Sequence, residues 1–162
     1  QDPSLPQLEI NVKNHTRSLH LQTFGNPENP TVFVLHGGPG ADFRMMLPLK
    51  ALADQYQVVM WDSRGAGLSE RASREELTID SFDEEIGAVK SALAPDKKVT
   101  FIGHSFGGNV MIRYAAKHPE DVKQLILLEP GKFDLSIDKK NTGGAVSFLD
   151  WTGRIFSGKM RF

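Results

Sequence analysis

The chain has 162 residues, of which 40% are hydrophobic and 24% are charged, and its formal net charge is −1. These proportions indicate one soluble globular domain, and the small net charge gives no reason to expect a nucleic acid or an anionic membrane as a partner. The absence of cysteine excludes a disulfide framework, a thiol nucleophile and a thiolate metal site. No apolar run approaches the roughly 20 residues that a membrane-spanning helix needs.

Apolar periodicity predicts an α/β fold. Residues 8–12 and 18–22 alternate apolar and polar side chains around the polar stretch 13–17, so we expect an antiparallel hairpin at a sheet edge. The further predicted elements are buried strands at 31–35, 58–61, 99–102 and 122–128, helices at 43–54 and 109–116, and a helix between them that Thr78 or Asp80 caps and Pro95 ends. This alternation predicts a mostly parallel sheet with helices on both faces.

A Gly-x-Ser-x-Gly pentapeptide separates the third buried strand from the helical pattern that follows it. This order of strand, turn and helix is the context that a nucleophile elbow requires. Gly103 and Gly107 leave room for a strained turn that exposes the hydroxyl of Ser105 above the sheet. The N–H of Phe106, at the start of the helix, is then expected to face a developing oxyanion. The alternative is a glycine-rich connection in which Ser105 only caps the helix.

A second glycine-rich turn, His-Gly-Gly-Pro-Gly at 36–40, follows the first buried strand and precedes a helix. Such a turn lets a backbone amide face the space above the serine, and the N–H of Gly38 is the predicted second donor to the oxyanion. Gly37 and His36 are expected to support the turn, His36 through hydrogen bonds. A phosphate-binding loop is excluded by spacing, because the sequence lacks both Gly-x-Gly-x-x-Gly and a following Gly-Lys-Ser/Thr.

Two further polar groups lie beside these turns. Asp62 and Arg64 stand two residues apart in a glycine-rich stretch after a buried strand, which predicts that they hold this loop to itself. His104 precedes the serine, but a strained turn would direct the two side chains apart, so His104 is a poor candidate for a general base.

These residues together resemble the amino-terminal half of an α/β-hydrolase, and most closely the proline iminopeptidase-like group. The matching pieces are His-Gly-Gly-Pro-Gly at 36–40, Asp-Ser-Arg-Gly-Ala-Gly-Leu-Ser at 62–69 and Gly-His-Ser-Phe-Gly-Gly at 103–108. The resemblance implies a serine hydrolase, without metal or organic cofactor, that removes an amino-terminal residue, often proline, from small peptides through an acyl-enzyme at Ser105. A Gly-His-Ser-x-Gly-Gly turn also serves esterases, lipases and carbon–carbon bond hydrolases, so an esterase or another small-molecule hydrolase is the alternative.

The chain departs from this group in length. Such hydrolases have roughly 250–300 residues, and their triad follows the order serine, acid, histidine. All the histidines of this chain precede the last predicted strand: His15, His20, His36, His104 and His118. The resemblance therefore implies that the catalytic histidine and the usual acid come from a further segment or a second chain.

Glu129, which closes the last predicted strand, is a candidate for the acid, and the alternative is a solvated carboxylate without a role. Residues 1–130 are expected to form the amino-terminal part of the hydrolase core. Residues 131–162, with a short helix near 146–151, are expected to begin an inserted lid. The remaining alternative is a non-catalytic fragment or a binding protein on the same scaffold.

Overall fold

The structure is a computed structural model that describes residues 4–12 and 15–130. Its strands are β1 (Gln7–Val12), β2 (His15–Phe24), β3 (Thr31–Leu35), β4 (Gln57–Trp61), β5 (Val99–His104) and β6 (Val122–Leu128). Its α-helices are α1 (Ile79–Leu93) and α2 (Phe106–Lys117), and 3-10 helices span Phe43–Asp54, Arg74–Glu76 and Pro119–Asp121. The strands form a six-stranded sheet in the order β1-β2-β4-β3-β5-β6.

The sheet confirms the predicted class. β1 and β2 form the antiparallel hairpin at one edge, β2 pairs antiparallel with β4, and the strands from β4 to β6 are parallel. All five residues of β3 are buried, as expected of a strand covered on both faces. The lid and short helix predicted within 131–162 lie outside the described residues, so the division at residue 130 remains a prediction.

The hairpin corrects one predicted boundary. The polar stretch 13–17 was expected to form the turn, but β2 already begins at His15, which pairs with Val12. Asn11 pairs with Thr16, and the Thr16 hydroxyl donates a 3.0 Å hydrogen bond to Asn11 Oδ1. Polar side chains suit this exposed edge of the sheet, so polarity alone did not distinguish strand from turn.

The helices cover both faces of the sheet. One core contains the apolar faces of α1 and α2, and Phe33, Trp61 and Phe101 pack beneath these helices. The second core lies under the 3-10 helix Phe43–Asp54 and includes Met46. This helix has the predicted bounds but 3-10 geometry, and Pro48 within it lacks the N–H that an α-helical hydrogen bond would need.

The start of α1 resolves an open alternative. Thr78 and not Asp80 is the cap, because the Thr78 hydroxyl accepts a 3.2 Å hydrogen bond from the N–H of Ser81. The Ser81 hydroxyl in turn accepts from the N–H of Thr78, at 3.1 Å, which completes a capping box. No helix of the described part of the chain is long and apolar enough to cross a membrane.

Candidate active site

Ser105 occupies a strained turn between β5 and α2. Its φ and ψ are 48° and −116°, and the only other non-glycine residue with positive φ in the described ranges is Glu129. Such backbone conformations cost about 1–3 kcal/mol and concentrate at functional sites. The half-buried Ser105 side chain forms no capping hydrogen bond to α2. The Ser105 hydroxyl therefore does not act as the cap of α2.

Glycines let the turn pack directly against the neighbouring strand ends. A Cβ added at Gly103 would lie 2.6 Å from the Cα of Gly108, and one added at Gly107 would lie 2.5 Å from the carbonyl oxygen of His36. Both distances are too short for any side chain, and the obstructing atoms belong to the backbone. The start of α2 is thereby held against the carboxyl ends of β5 and β3.

The turn at 36–40 lies beside the serine. A Cβ added at Gly37 would lie 3.1 Å from Ser105 Cβ and 2.5 Å from His104 Nδ1. Gly38 has φ of 124°, a conformation that favours glycine. Phe106 is the first residue of α2, so its N–H has no acceptor within the helix. The two sequence motifs that were predicted to cooperate therefore meet at one edge of the sheet.

His36 connects this turn to the loop after β4. Its ring is buried, Nδ1 donates to the carbonyl oxygen of Gly37 at 2.7 Å, and Nε2 accepts from the N–H of Ser63 at 3.1 Å. These bonds require the neutral ring with its proton on Nδ1. His36 thus contacts backbone on both sides and does not reach Ser105 through a hydrogen bond.

The loop after β4 is held by Asp62, as its sequence predicts. The buried carboxylate accepts from the N–H of Phe43 and from the N–H of Leu68, each at 2.8 Å. Arg64 was expected to hold the same loop, and this expectation was wrong. Its side chain pairs instead with Glu85 of α1, with 3.0 Å between Nε and Oε2.

Glu85 is a buried group that the sequence analysis missed. Its carboxylate accepts hydrogen bonds from the side chain and backbone N–H of Arg64 and from Trp61 Nε1 at 3.1 Å. The signal was present, because Glu85 lies on the apolar stripe of α1 between Phe82 and Ile86. A carboxylate at such a position needs a buried partner, which here comes from the loop beside the candidate site.

No hydrogen bond joins Ser105 to a histidine within the described ranges. His104 Nδ1 is buried without a hydrogen-bond partner there, and it faces Gly37. His118 lies at the far end of α2, where its ring packs on Tyr114. The sequence prediction that the general base comes from elsewhere thus remains open.

A group of potential metal ligands occurs away from the serine. His118, Glu120 and Asp121 each offer one ligand atom, all within 4.8 Å of one another. Asp121 already pairs with Lys90 at 2.7 Å and accepts from Tyr114. Burial opposes ionisation of Asp121, but these hydrogen bonds outweigh it and hold the pKa of its carboxyl below the usual value. Because ion pairing accounts for this carboxylate, we assign no metal role to the group.

The mostly parallel sheet with a serine turn at its carboxyl edge defines the class of protein. Residues 30–159 match the family described by the alpha/beta hydrolase fold. The chain belongs to this family, which confirms the family resemblance noted in the sequence.

Individual relatives differ in their activities. The chain is 39% identical over 101 residues to a proline iminopeptidase of Thermoplasma volcanium, covering 62% of this chain and 34% of that protein. It is 32% identical over 155 residues to a 1-acylglycerol-3-phosphate O-acyltransferase of Arabidopsis thaliana, covering 90% of this chain and 36% of that protein. The structure of a proline iminopeptidase-related protein from Thermus thermophilus superposes with a TM-score of 0.68 and 27% identity, over 77% of this chain and 44% of that one. The chain spans about a third of the length of these curated relatives.

Proposed function

We propose that this chain carries the nucleophile of a serine hydrolase of the proline iminopeptidase type. The observation that carries the proposal is the strained turn at Ser105, whose hydroxyl is not used for capping, beside the glycine turn at 36–40. We interpret the first as a nucleophile elbow and the second as part of an oxyanion hole. Gly103, Gly107, Gly37 and His36 support these two turns.

The proposed reaction is acyl transfer. Ser105 Oγ attacks the carbonyl carbon of the amino-terminal residue while a histidine removes the hydroxyl proton. The backbone N–H groups of Gly38 and Phe106 donate to the oxyanion, and a lost donor of this kind costs about 3–4 kcal/mol in the transition state. The C–N bond then breaks, the histidine returns the proton to the leaving amine, and water hydrolyses the acyl-enzyme. We expect this histidine to come from a further segment of the protein or from a second chain.

Relatives favour a peptide substrate. The identity to the iminopeptidase of Thermoplasma volcanium and the His-Gly-Gly-Pro-Gly motif support an aminopeptidase acting on small peptides. An esterase is the second candidate, favoured by the histidine of the Gly-His-Ser-Phe-Gly-Gly turn and by the acyltransferase among the relatives. Both reactions use the same acyl-enzyme and differ in the leaving group.

A fluorophosphonate probe tests the nucleophile in the full-length protein. We expect wild type to be labelled and Ser105→Ala to lose labelling and turnover of a prolyl anilide. Ser91→Ala, which removes an exposed hydroxyl from α1, is the matched control and should leave both unchanged. Turnover of p-nitrophenyl acetate without the anilide would favour the esterase. An unlabelled wild type that contains all its segments, verified by intact mass, would leave only a non-catalytic scaffold.

A further inference from the structure

The buried ring of His36 joins two backbone groups that belong to different loops. Its Nδ1 donates a 2.7 Å hydrogen bond to the carbonyl oxygen of Gly37, and its Nε2 accepts a 3.1 Å hydrogen bond from the N–H of Ser63. The residue is 1% exposed, so water does not replace either partner. Each ring nitrogen therefore has one fixed partner, and the effects of the two hydrogen bonds can be separated.

The hydrogen bond to Gly37 also fixes the direction of the N–H that follows it. The carbonyl of Gly37 and the N–H of Gly38 belong to one peptide unit, and this peptide bond is trans. In a planar trans unit the C=O and the N–H point in opposite directions. The bond from His36 to the carbonyl oxygen therefore turns the Gly38 N–H away from the ring. Without that bond, two consecutive glycines would leave the orientation of this peptide unit poorly determined.

The direction away from the His36 ring leads towards Ser105. The ring contacts the loop after β4, and β3 lies between β4 and β5, so the serine turn after β5 lies on the other side of the 36–40 turn. A Cβ added at Gly37 would lie only 3.1 Å from Ser105 Cβ. Within the described ranges, the N–H of Gly38 donates no hydrogen bond. An N–H that is held in place without an acceptor is what an oxyanion donor requires.

We propose that His36 is a positioning residue for the oxyanion donor at Gly38 and that it acts through its Nδ1–H alone. This inference rests on the proposed function, since it requires an oxyanion to form at Ser105. It goes beyond support of the turn, because it assigns different roles to the two ring nitrogens. Nδ1 sets the orientation of the 37–38 peptide unit and thereby the rate of acyl transfer. Nε2 joins the turn to the loop after β4 and contributes only to stability.

Two substitutions in the full-length protein separate the two ring nitrogens. In His36→Asn, the side-chain amide nitrogen lies near the place of Nδ1 and can donate to Gly37, but the side chain is too short to reach Ser63. In His36→Gln, the amide oxygen lies near the place of Nε2 and can accept from Ser63, but the side chain no longer donates to Gly37.

The expected difference is in kcat, measured with whichever of a prolyl anilide and p-nitrophenyl acetate the wild type hydrolyses. His36→Gln should lower kcat roughly 10–100-fold and leave KM within about twofold, because the oxyanion forms only after the substrate is bound. His36→Asn should keep kcat within about threefold of wild type, because the Gly38 N–H keeps its orientation.

Stability and a distant histidine provide the controls. Each substitution removes one buried hydrogen bond, so the two denaturation midpoints should shift by similar amounts, and stability would then not explain a difference in kcat. His118→Gln makes the same chemical change at the far end of α2 and should leave kcat and KM unchanged.

The outcomes decide between positioning and folding. Equal kcat values for His36→Asn and His36→Gln, or a larger loss for His36→Asn, would overturn the role of Nδ1 and leave His36 with a role in folding alone. If neither variant folds, ¹⁵N NMR of the histidine rings in wild type decides, because a proton on Nδ1 of His36 supports the proposal and a proton on Nε2 contradicts it. Persistent labelling of Ser105→Ala would instead contradict the proposed nucleophile, so failure of the two proposals is distinguishable.

Discussion

The carboxyl edge of the sheet and the surface between α1 and α2 both carry charged groups, but in different surroundings. Beside the serine turn, the ion pair of Arg64 and Glu85 is 5% and 1% exposed. Between the helices, Asp80 and Asp83 of α1 form ion pairs with Arg113 and Lys117 of α2, and we call these four residues the helix seam. Asp80 pairs with Arg113 while remaining 55% exposed. An open cleft of about 520 Å³ lies along this seam and contains no residue of the serine turn.

The comparison shows why the two regions differ in tolerance to substitution. Water replaces a lost partner in the helix seam, whereas water is excluded from Glu85 and from the glycine contacts beneath the serine turn. The charged residues that line this cleft are therefore not the groups on which the candidate site depends. Three sets of measurements can break or sharpen this contrast, and they are ordered by the largest effect expected within each set.

Glu85→Ala is expected to cost about 3–5 kcal/mol in the free energy of unfolding, because it leaves the buried Arg64 guanidinium and Trp61 Nε1 without their acceptor. Alanine is a good helix former, so the loss would come from the network and not from α1 itself. Chemical denaturation of the full-length protein measures the change.

Asp80→Asn is the matched substitution in the helix seam. Exposed ion pairs contribute about 0–1 kcal/mol, so its effect should stay within that range. If Glu85→Ala and Asp80→Asn lowered the free energy of unfolding equally, burial would not distinguish the carboxyl edge of the sheet from the surface between the helices.

Gly107→Ala is expected to lower the free energy of unfolding by about 2–3 kcal/mol and to impair the site, because the added Cβ would meet backbone oxygens of β3 and its following turn. Gly87→Ala is the control within α1, where a Cβ would lie 3.5 Å from the ring of Tyr114. That contact is ordinary, so alanine should stabilise the helix by up to about 1 kcal/mol. Similar destabilisation by both substitutions would contradict the close approach at Gly107.

The smallest effect is expected for the pH dependence of stability that arises from the ion pair between Asp121 and Lys90. The pKa of Asp121 is held below its usual value of 3.8, so its ionised form stabilises the fold above that value and this contribution is lost as the pH falls further. Asp121→Asn should lower stability at neutral pH, and its difference from wild type should shrink below pH 3.8. A constant difference for Asp121→Asn would contradict the ion pair.

Much of the fold could be predicted because the relevant signals are local. The apolar run of β3 and the spacing of apolar residues in α1 predicted these elements, and both were confirmed. The pentapeptide at 103–107 predicted a strand-to-helix turn because few residues other than glycine fit so close to neighbouring backbone. Polar segments were harder to predict. The start of β2 has the composition of a turn, and it forms a strand because it pairs with β1.

The sequence by itself determined the class of fold, the position of the serine turn and the need for small residues around it, because side-chain periodicity and steric exclusion act between near neighbours in the chain. Only the tertiary structure decided that Arg64 pairs with Glu85 and that Glu129 lies beside Ser105. These contacts depend on which strands and helices become neighbours, and the order β3-β5-β6 joins residues that are far apart in sequence.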